Sequence, residues 1–178
     1  MQTIVPYPFF IVLSGLTVSK NNLVATIPIW GPSFTVSLDL KINSFEVPNL
    51  MSGAWAEVLR FSNTESDQDR SPAIFTHKDG FIRITLEKNG IIFVEDVSIK
   101  TNEWYIVSMK ILGNNLNLLI LKKDEQNLFP ADQVFNKEEK ISGFFVLEDV
   151  KVWAAEGRHG YPPADAQIKN LVYETKNR

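Results

Sequence analysis

Ser33-Phe34-Thr35-Val36-Ser37-Leu38-Asp39-Leu40-Lys41-Ile42-Asn43 is the stretch whose reading decides the fold. Its even positions are Phe34, Val36, Leu38, Leu40 and Ile42; its odd positions are Ser33, Thr35, Ser37, Asp39, Lys41 and Asn43. Side chains alternate between the two faces of a strand, so the apolar set falls on one side and the polar set on the other. Wound as a helix, the same residues would scatter apolar groups around the whole cylinder. The stretch reads as a long strand with one face on a core and one in water, the habit of antiparallel sheets. A second sheet is then needed to cover Phe34 and its neighbours.

Upstream, the apolar run at residues 9–13 follows Pro6 and Pro8 with no Lys or Arg before it. It lacks the charged start of a signal peptide and is too short to span a bilayer, so it reads as an entering strand. Leu16 and Val18 continue the alternation, Lys20-Asn21-Asn22 makes a turn, and residues 23–29 form a strand stopped by Pro28 and Gly31-Pro32. Downstream, residues 48–53 read as a loop and 55–61 as a strand. Residues 62–71, Ser-Asn-Thr-Glu-Ser-Asp-Gln-Asp-Arg-Ser, are the most polar segment and read as an exposed loop. Strands follow at 73–75, 81–87 and 91–94, separated by the hairpin signals Asp79-Gly80 and Asn89-Gly90. Residues 104–112 and 116–121 pair around Gly113-Asn114-Asn115. Residues 122–140 read as a long connection or an edge, with a hydrophobic patch at Leu128-Phe129 and Val134-Phe135, and 144–153 as a strand. The closing piece, 167–173, has both helical spacing at Ile168, Leu171 and Val172 and strand composition at Val172-Tyr173-Glu174-Thr175. Short strands with frequent turns, no linker and no repeat make residues 1–178 a single all-β domain, a sandwich or barrel.

The composition narrows the function classes. A formal charge of −3 with scattered Lys and Arg argues against a nucleic-acid surface. The absence of Cys excludes disulfides, thiolate chemistry and Cys-based zinc sites. With only His77 and His159 as imidazoles, a transition-metal centre would have to be completed by carboxylates. Twelve Phe and four Trp are the material of an aromatic-rich core.

Three patterns then resemble the concanavalin A-like lectin/laminin G superfamily. One is the core strand with its Trp30-Gly31-Pro32 entry. Another is Val58-Leu59-Arg60-Phe61, with Asp69-Arg70-Ser71-Pro72-Ala73-Ile74 and Phe81-Ile82-Arg83-Ile84, similar to a strand, variable loop and strand of laminin G-like modules. The third is Asn102-Glu103-Trp104-Tyr105-Ile106-Val107, with Val150-Lys151-Val152-Trp153 and Ile168-Lys169-Asn170-Leu171 near the end. The resemblance spans nearly the whole chain. It implies a jelly-roll sandwich of two curved antiparallel sheets with the first and last strands adjacent. It also implies a binding module for glycans, proteins or lipids, often with calcium, and an extracellular or secreted setting; a cytosolic one stays open.

The superfamily's glucan hydrolases carry Glu-x-Asp-x-x-Glu along one strand, because glycoside cleavage needs two converging carboxylates. The chain offers only the adjacent pairs Glu95-Asp96 and Glu148-Asp149, which point to opposite faces. No nucleophile elbow or phosphate loop is present, so the expectation is a protein that is not an enzyme. Asp67 and Asp69, with Glu65 and Asn63, form an oxygen-rich loop that is either a calcium site or solvated. Arg60, Arg70, His77 and Arg83 lie on or beside consecutive strands, either as one ligand face or as outward residues on a solvated sheet. Trp55, Trp104 and Trp153 read as core rather than as ligand platforms. Arg158, His159 and Tyr161, flanked by Glu156 and Asp165, form a loop expected at one end of the sandwich; it is a binding loop or a rigid connection. The favoured reading is a lectin-like module for a glycan or glycoprotein, with no membrane span. Its competitors are a module binding another protein and a polysaccharide-cleaving enzyme.

Overall fold

The computed structural model describes residues 11–13, 15–47, 53–88, 90–124, 130–142 and 146–175. Residues 48–52 of the loop read at 48–53, Asn89 of the second hairpin, Leu128-Phe129 and the start of the strand read at 144 lie outside the described residues. Thirteen strands are described: β1 (Ile11–Leu13), β2 (Leu16–Thr17), β3 (Leu23–Trp30), β4 (Phe34–Ser44), β5 (Trp55–Ser62), β6 (Arg70–His77), β7 (Phe81–Lys88), β8 (Ile91–Ser98), β9 (Trp104–Leu112), β10 (Asn115–Lys123), β11 (Pro130–Lys140), β12 (Leu147–Trp153) and β13 (Asp165–Thr175).

They form two antiparallel sheets. The first runs β1-β13-β4-β9-β10-β11, with β2 continuing the β1 edge along β13. The second runs β3-β12-β5-β6-β7-β8. The all-β sandwich read from the sequence is the architecture observed, with the first and last described strands paired. The segment at 122–140 supplies the edge strand β11, and the ambiguous last piece is the strand β13.

Phe34, Val36, Leu38, Leu40 and Ile42 are all at most 3% exposed, facing the second sheet as the alternation demands. Around the strand entry, Trp30 stacks on Tyr173 at 4.2 Å and meets Phe34 edge-on at 4.6 Å and Phe61 at 5.2 Å. Gly31 donates its N–H to the Tyr173 hydroxyl at 3.0 Å, and a Cβ there would sit 2.1 Å from the Thr175 hydroxyl oxygen. Only glycine allows that approach. At the far side, Lys137 of β11 forms an ion pair with Glu95 of β8 and lies 5.5 Å from the Phe93 ring centroid, joining the two sheet edges.

Bulges set which side chains reach the outer faces. In β5, Glu57 is opposite Phe75 and Leu59 opposite Ile74, so Val58 is an inserted residue. The insertion turns Arg60 to the same side as Glu57, whereas strict alternation would separate them. In β6, the register passes from Arg70 opposite Glu87 to Ala73 opposite Thr85, and Arg70 joins the outer face in the same way. In β13, Asn170 and Leu171 together oppose the one residue between Asp39 and Ser37. Asn170 takes φ 49° there and donates its side-chain amide to Asp39 at 2.8 Å.

Candidate functional site

The outer face of the second sheet gathers most of the chain's chemistry. Register places Trp55, His77 and Phe81 in one row across β5, β6 and β7. Glu57, Phe75, Arg83 and Asp96 form the next row and reach β8. Arg60, Ala73 and Thr85 follow, then Arg70 and Glu87. Thus Arg60, Arg70, His77 and Arg83 do share a face.

A buried ionic network underlies it. Arg60 and Glu57 are fully buried, and Arg60 Nε donates to Glu57 Oε1 at 2.6 Å. Glu57 Oε2 accepts the backbone N–H groups of Glu156 at 2.6 Å and Gly157 at 3.3 Å. Glu156 brings its own carboxylate within 3.6 Å of Arg60 Nε. Burial works to lower the Arg60 pKa, but the charge and hydrogen bond of Glu57, with help from Asp67, raise it, so the guanidinium stays charged. Such a pair is tolerated without solvent only because every side of it is hydrogen-bonded.

The segment after the short 3-10 turn Arg158–Gly160 is held against β5. Glu57 N–H donates to Pro162 O at 2.8 Å and Ala164 N–H to Glu57 O at 2.9 Å, a parallel bridge between Glu57 and Pro163. The loop therefore borders the sheet face. Tyr161 packs on Phe75, with ring centroids 5.1 Å apart. Burial and then the Asp67 charge push the Tyr161 phenol up, against Arg70 and Arg60. Phe75 also lies under Arg60 and Arg70, at 5.7 and 5.2 Å. His159 is exposed at φ 61°, and among the described residues no hydrogen bond, ion pair or ring contact joins it to Arg70, His77, Arg83 or Tyr161. The side chain of Arg158 lies outside what the structure describes.

At the other end of the face, His77 stacks on Phe81 at 4.6 Å, and Trp55 meets them at 4.5 and 5.6 Å. Arg83 lies over Trp55 at 4.2 Å and donates to both Asp96 oxygens, at 2.7 and 2.8 Å. Trp55, expected in the core, is a half-buried member of the outer face instead.

The polar segment at 62–71 is a correction to the sequence reading. It is not an exposed loop throughout: Ser62, Asp69 and Ser71 are buried, and Arg70 opens β6. Asp69 organises it. Its Oδ2 accepts from the Asn63 and Thr64 N–H groups and the Ser62 and Thr64 hydroxyls, while Oδ1 takes Ser71 and the Lys88 ammonium at 2.9 Å. Asp67 Oδ1 accepts from Arg60 and Oδ2 from Arg70, each at 3.2 Å, and Arg70 also donates to Glu87 at 3.0 Å. Both carboxylates are thus turned to N–H, hydroxyl and cationic donors, and among the described residues no cluster of three or more His, Cys, Asp or Glu could hold a metal. In this arrangement a calcium ion at Asp67 and Asp69 would have to compete with Arg60, Arg70 and Lys88 for the carboxylate oxygens.

Sequence reasoning passed over Glu57, Phe75 and Asp96 as parts of this face. The signal for Glu57 was the Val58-Leu59 doublet, which breaks the alternation and marks the bulge. Asp96 had been set aside with Glu95. The two do point apart, Glu95 to Lys137 and Asp96 to Arg83, which leaves Asp96 on the outer face.

No protein-family model matches the chain, and no curated protein sequence matches it either. Solved structures do. The CBM40 of the Ruminococcus gnavus IT-sialidase bound to α2,6-sialyllactose is similar with a TM-score of 0.53 at 12% identity, over 91% of this chain and 90% of that one. The Trypanosoma rangeli sialidase in complex with sialic acid gives 0.51 at 10% identity, over 82% of this chain and 21% of that one. An alginate lyase from Klebsiella pneumoniae gives 0.50 at 8%, over 82% and 61%. The chain therefore spans about a fifth of the trypanosomal enzyme and under two thirds of the lyase. At these identities the shared property is the fold alone, an antiparallel two-sheet β-sandwich.

Proposed function

We propose that the chain is a carbohydrate-binding module whose ligand face is the outer surface of the second sheet, bordered by the segment carrying Tyr161. The observation that carries the reading is the Arg83–Asp96 pair resting on Trp55 beside the His77–Phe81 stack. Sugars present hydroxyl groups at their rims and C–H groups on their faces, so a receptor needs fixed polar groups next to flat rings. This face has both, on neighbouring strands of a sheet rather than on a free loop. Similarity of fold to a CBM40 bound to α2,6-sialyllactose supports a carbohydrate as the class of ligand.

The reading is of binding without bond cleavage. A general acid has to hold a proton near neutral pH. Burial would raise the Asp67 carboxyl, but the charge of Arg70 and the hydrogen bonds of Arg60 and Arg70 outweigh it and hold Asp67 below the usual range, ionised. Arg83 donates to both oxygens of Asp96.

Printed glycans probed with the wild-type chain and with Arg83→Ala test the proposal. Binding that Arg83→Ala abolishes while the melting temperature holds supports it. Binding that survives intact moves the ligand face elsewhere, and an array with no binder rejects the carbohydrate reading.

A further inference from the structure

The geometry points to a neutral sugar as the ligand, gripped through a vicinal diol by Arg83 and Asp96, with acidic sugars excluded; this rests on the binding reading above. Three guanidiniums mark the face, and a basic patch would invite a carboxylate. Yet Arg60, Arg70 and Arg83 are met by five carboxylates, from Glu57, Asp67, Glu87, Asp96 and Glu156. The described cluster carries excess negative charge, and the carboxylates occupy the guanidinium positions that an acidic sugar would need. An anionic ligand would have to break a formed ion pair and enter a field of its own sign.

The members of the cluster also differ in access. The Arg60 side chain is 0% exposed and that of Arg70 16%, whereas Arg83 and Asp96 are 34% and 40% exposed. Only the last pair is open enough for a ligand to touch both partners. A guanidinium has five N–H groups, and Arg83 spends two on Asp96; each Asp96 oxygen keeps acceptor capacity. The pair therefore presents spare donors and spare acceptors side by side in one plane. A vicinal diol matches that pattern, one hydroxyl donating to Asp96 while its neighbour accepts from Arg83. Trp55 beneath the guanidinium fixes the plane, which a lysine could not reproduce.

Titration calorimetry with lactose and cellotetraose as neutral probes, and 6′-sialyllactose and tetraguluronate as anionic ones, tests this. At least one neutral probe should bind at least about tenfold more tightly than either anionic one. Asp96→Asn, with an unchanged melting temperature, should weaken the neutral probe and narrow the gap by about tenfold or more, because it turns one of the two acceptor oxygens into an NH2 donor and removes the charge that repels an anion. Equal or tighter binding of an anionic probe overturns the inference and leaves the module reading standing. So does an Asp96→Asn variant that binds the neutral probe as well as wild type. Failure of all four probes overturns the module reading and this inference together.

Discussion

Leu38 and Asp69 mark the two extremes of what a single residue discloses. Leu38 sits in an unbroken alternation, so its burial follows from period alone, and the structure leaves it 3% exposed. Leu38→Ala should cost about 2–5 kcal/mol in urea unfolding, the range for truncating a buried leucine. Asp69 lies in the most polar stretch of the chain, where polarity signals water; its burial depends on Lys88, nineteen positions on in sequence, which composition cannot reveal. Burial works to raise the Asp69 carboxyl, yet hydrogen bonds from Lys88, Thr64 and Ser71 and the Lys88 charge hold it below its ordinary value. A depressed folded-state pKa contributes stability that is fully present above the unfolded value, about 3.9, and is lost as pH falls through the folded value. Asp69→Asn should therefore lose about 3 kcal/mol at neutral pH, by leaving the Lys88 ammonium without its anion. It should also show a flatter loss of stability below about pH 4 than the parent. Urea midpoints measured from pH 3 to 7 would check both; parallel acid limbs would assign the stability to another group.

Strands were legible where they alternate and illegible where they bulge. The segment at 167–173 has the helical spacing Ile168, Leu171, Val172, and the bulge accounts for it. Ala166 and Ile168 face the core before the insertion, and Leu171, Tyr173 and Thr175 after it. A strand with one inserted residue imitates, over a single turn, the period of a helix. The residue carrying that insertion, Asn170, has left-handed φ, which asparagine tolerates and β-branched residues resist. Asn170→Gly should stay near the parent melting temperature apart from the lost bond to Asp39. Asn170→Val should cost about 1–2 kcal/mol more. Equal costs for the two would show that backbone strain is not what the asparagine relieves. At the 62–71 segment, the hydrogen-bonded Asp67 and Asp69 lead to a second expectation at this scale. Millimolar calcium should leave the melting temperature unchanged, because a ligand held only by the native state must raise it. An upward shift would mean that the loop rearranges to release its arginines.

At the scale of the molecule, two sheets and a common core followed from period and turn signals, which are local properties. The proposed ligand face did not, because it is assembled from distant residues. Glu57 reaches the backbone of Glu156 and Gly157 across about a hundred positions, and Tyr161 reaches Phe75 across nearly as many. The arginines were recognisable as a group, but their carboxylate partners were not, because those partners come from β5, β7, β8 and two loops. The Glu57 tether has a kinetic consequence. With its carboxylate fastened to the neighbouring segment and its backbone bridged to Pro162 and Ala164, Glu57 ties the wall beside the face to β5 at both ends. Ligand capture should proceed as a single exponential in stopped-flow fluorescence, its rate rising linearly with ligand concentration. A gate that must close after capture would make that rate level off. Glu57→Gln, which keeps the shape but gives up the charge, should slow association by enlarging the population of walls out of place, while dissociation from the seated complex stays near the parent rate.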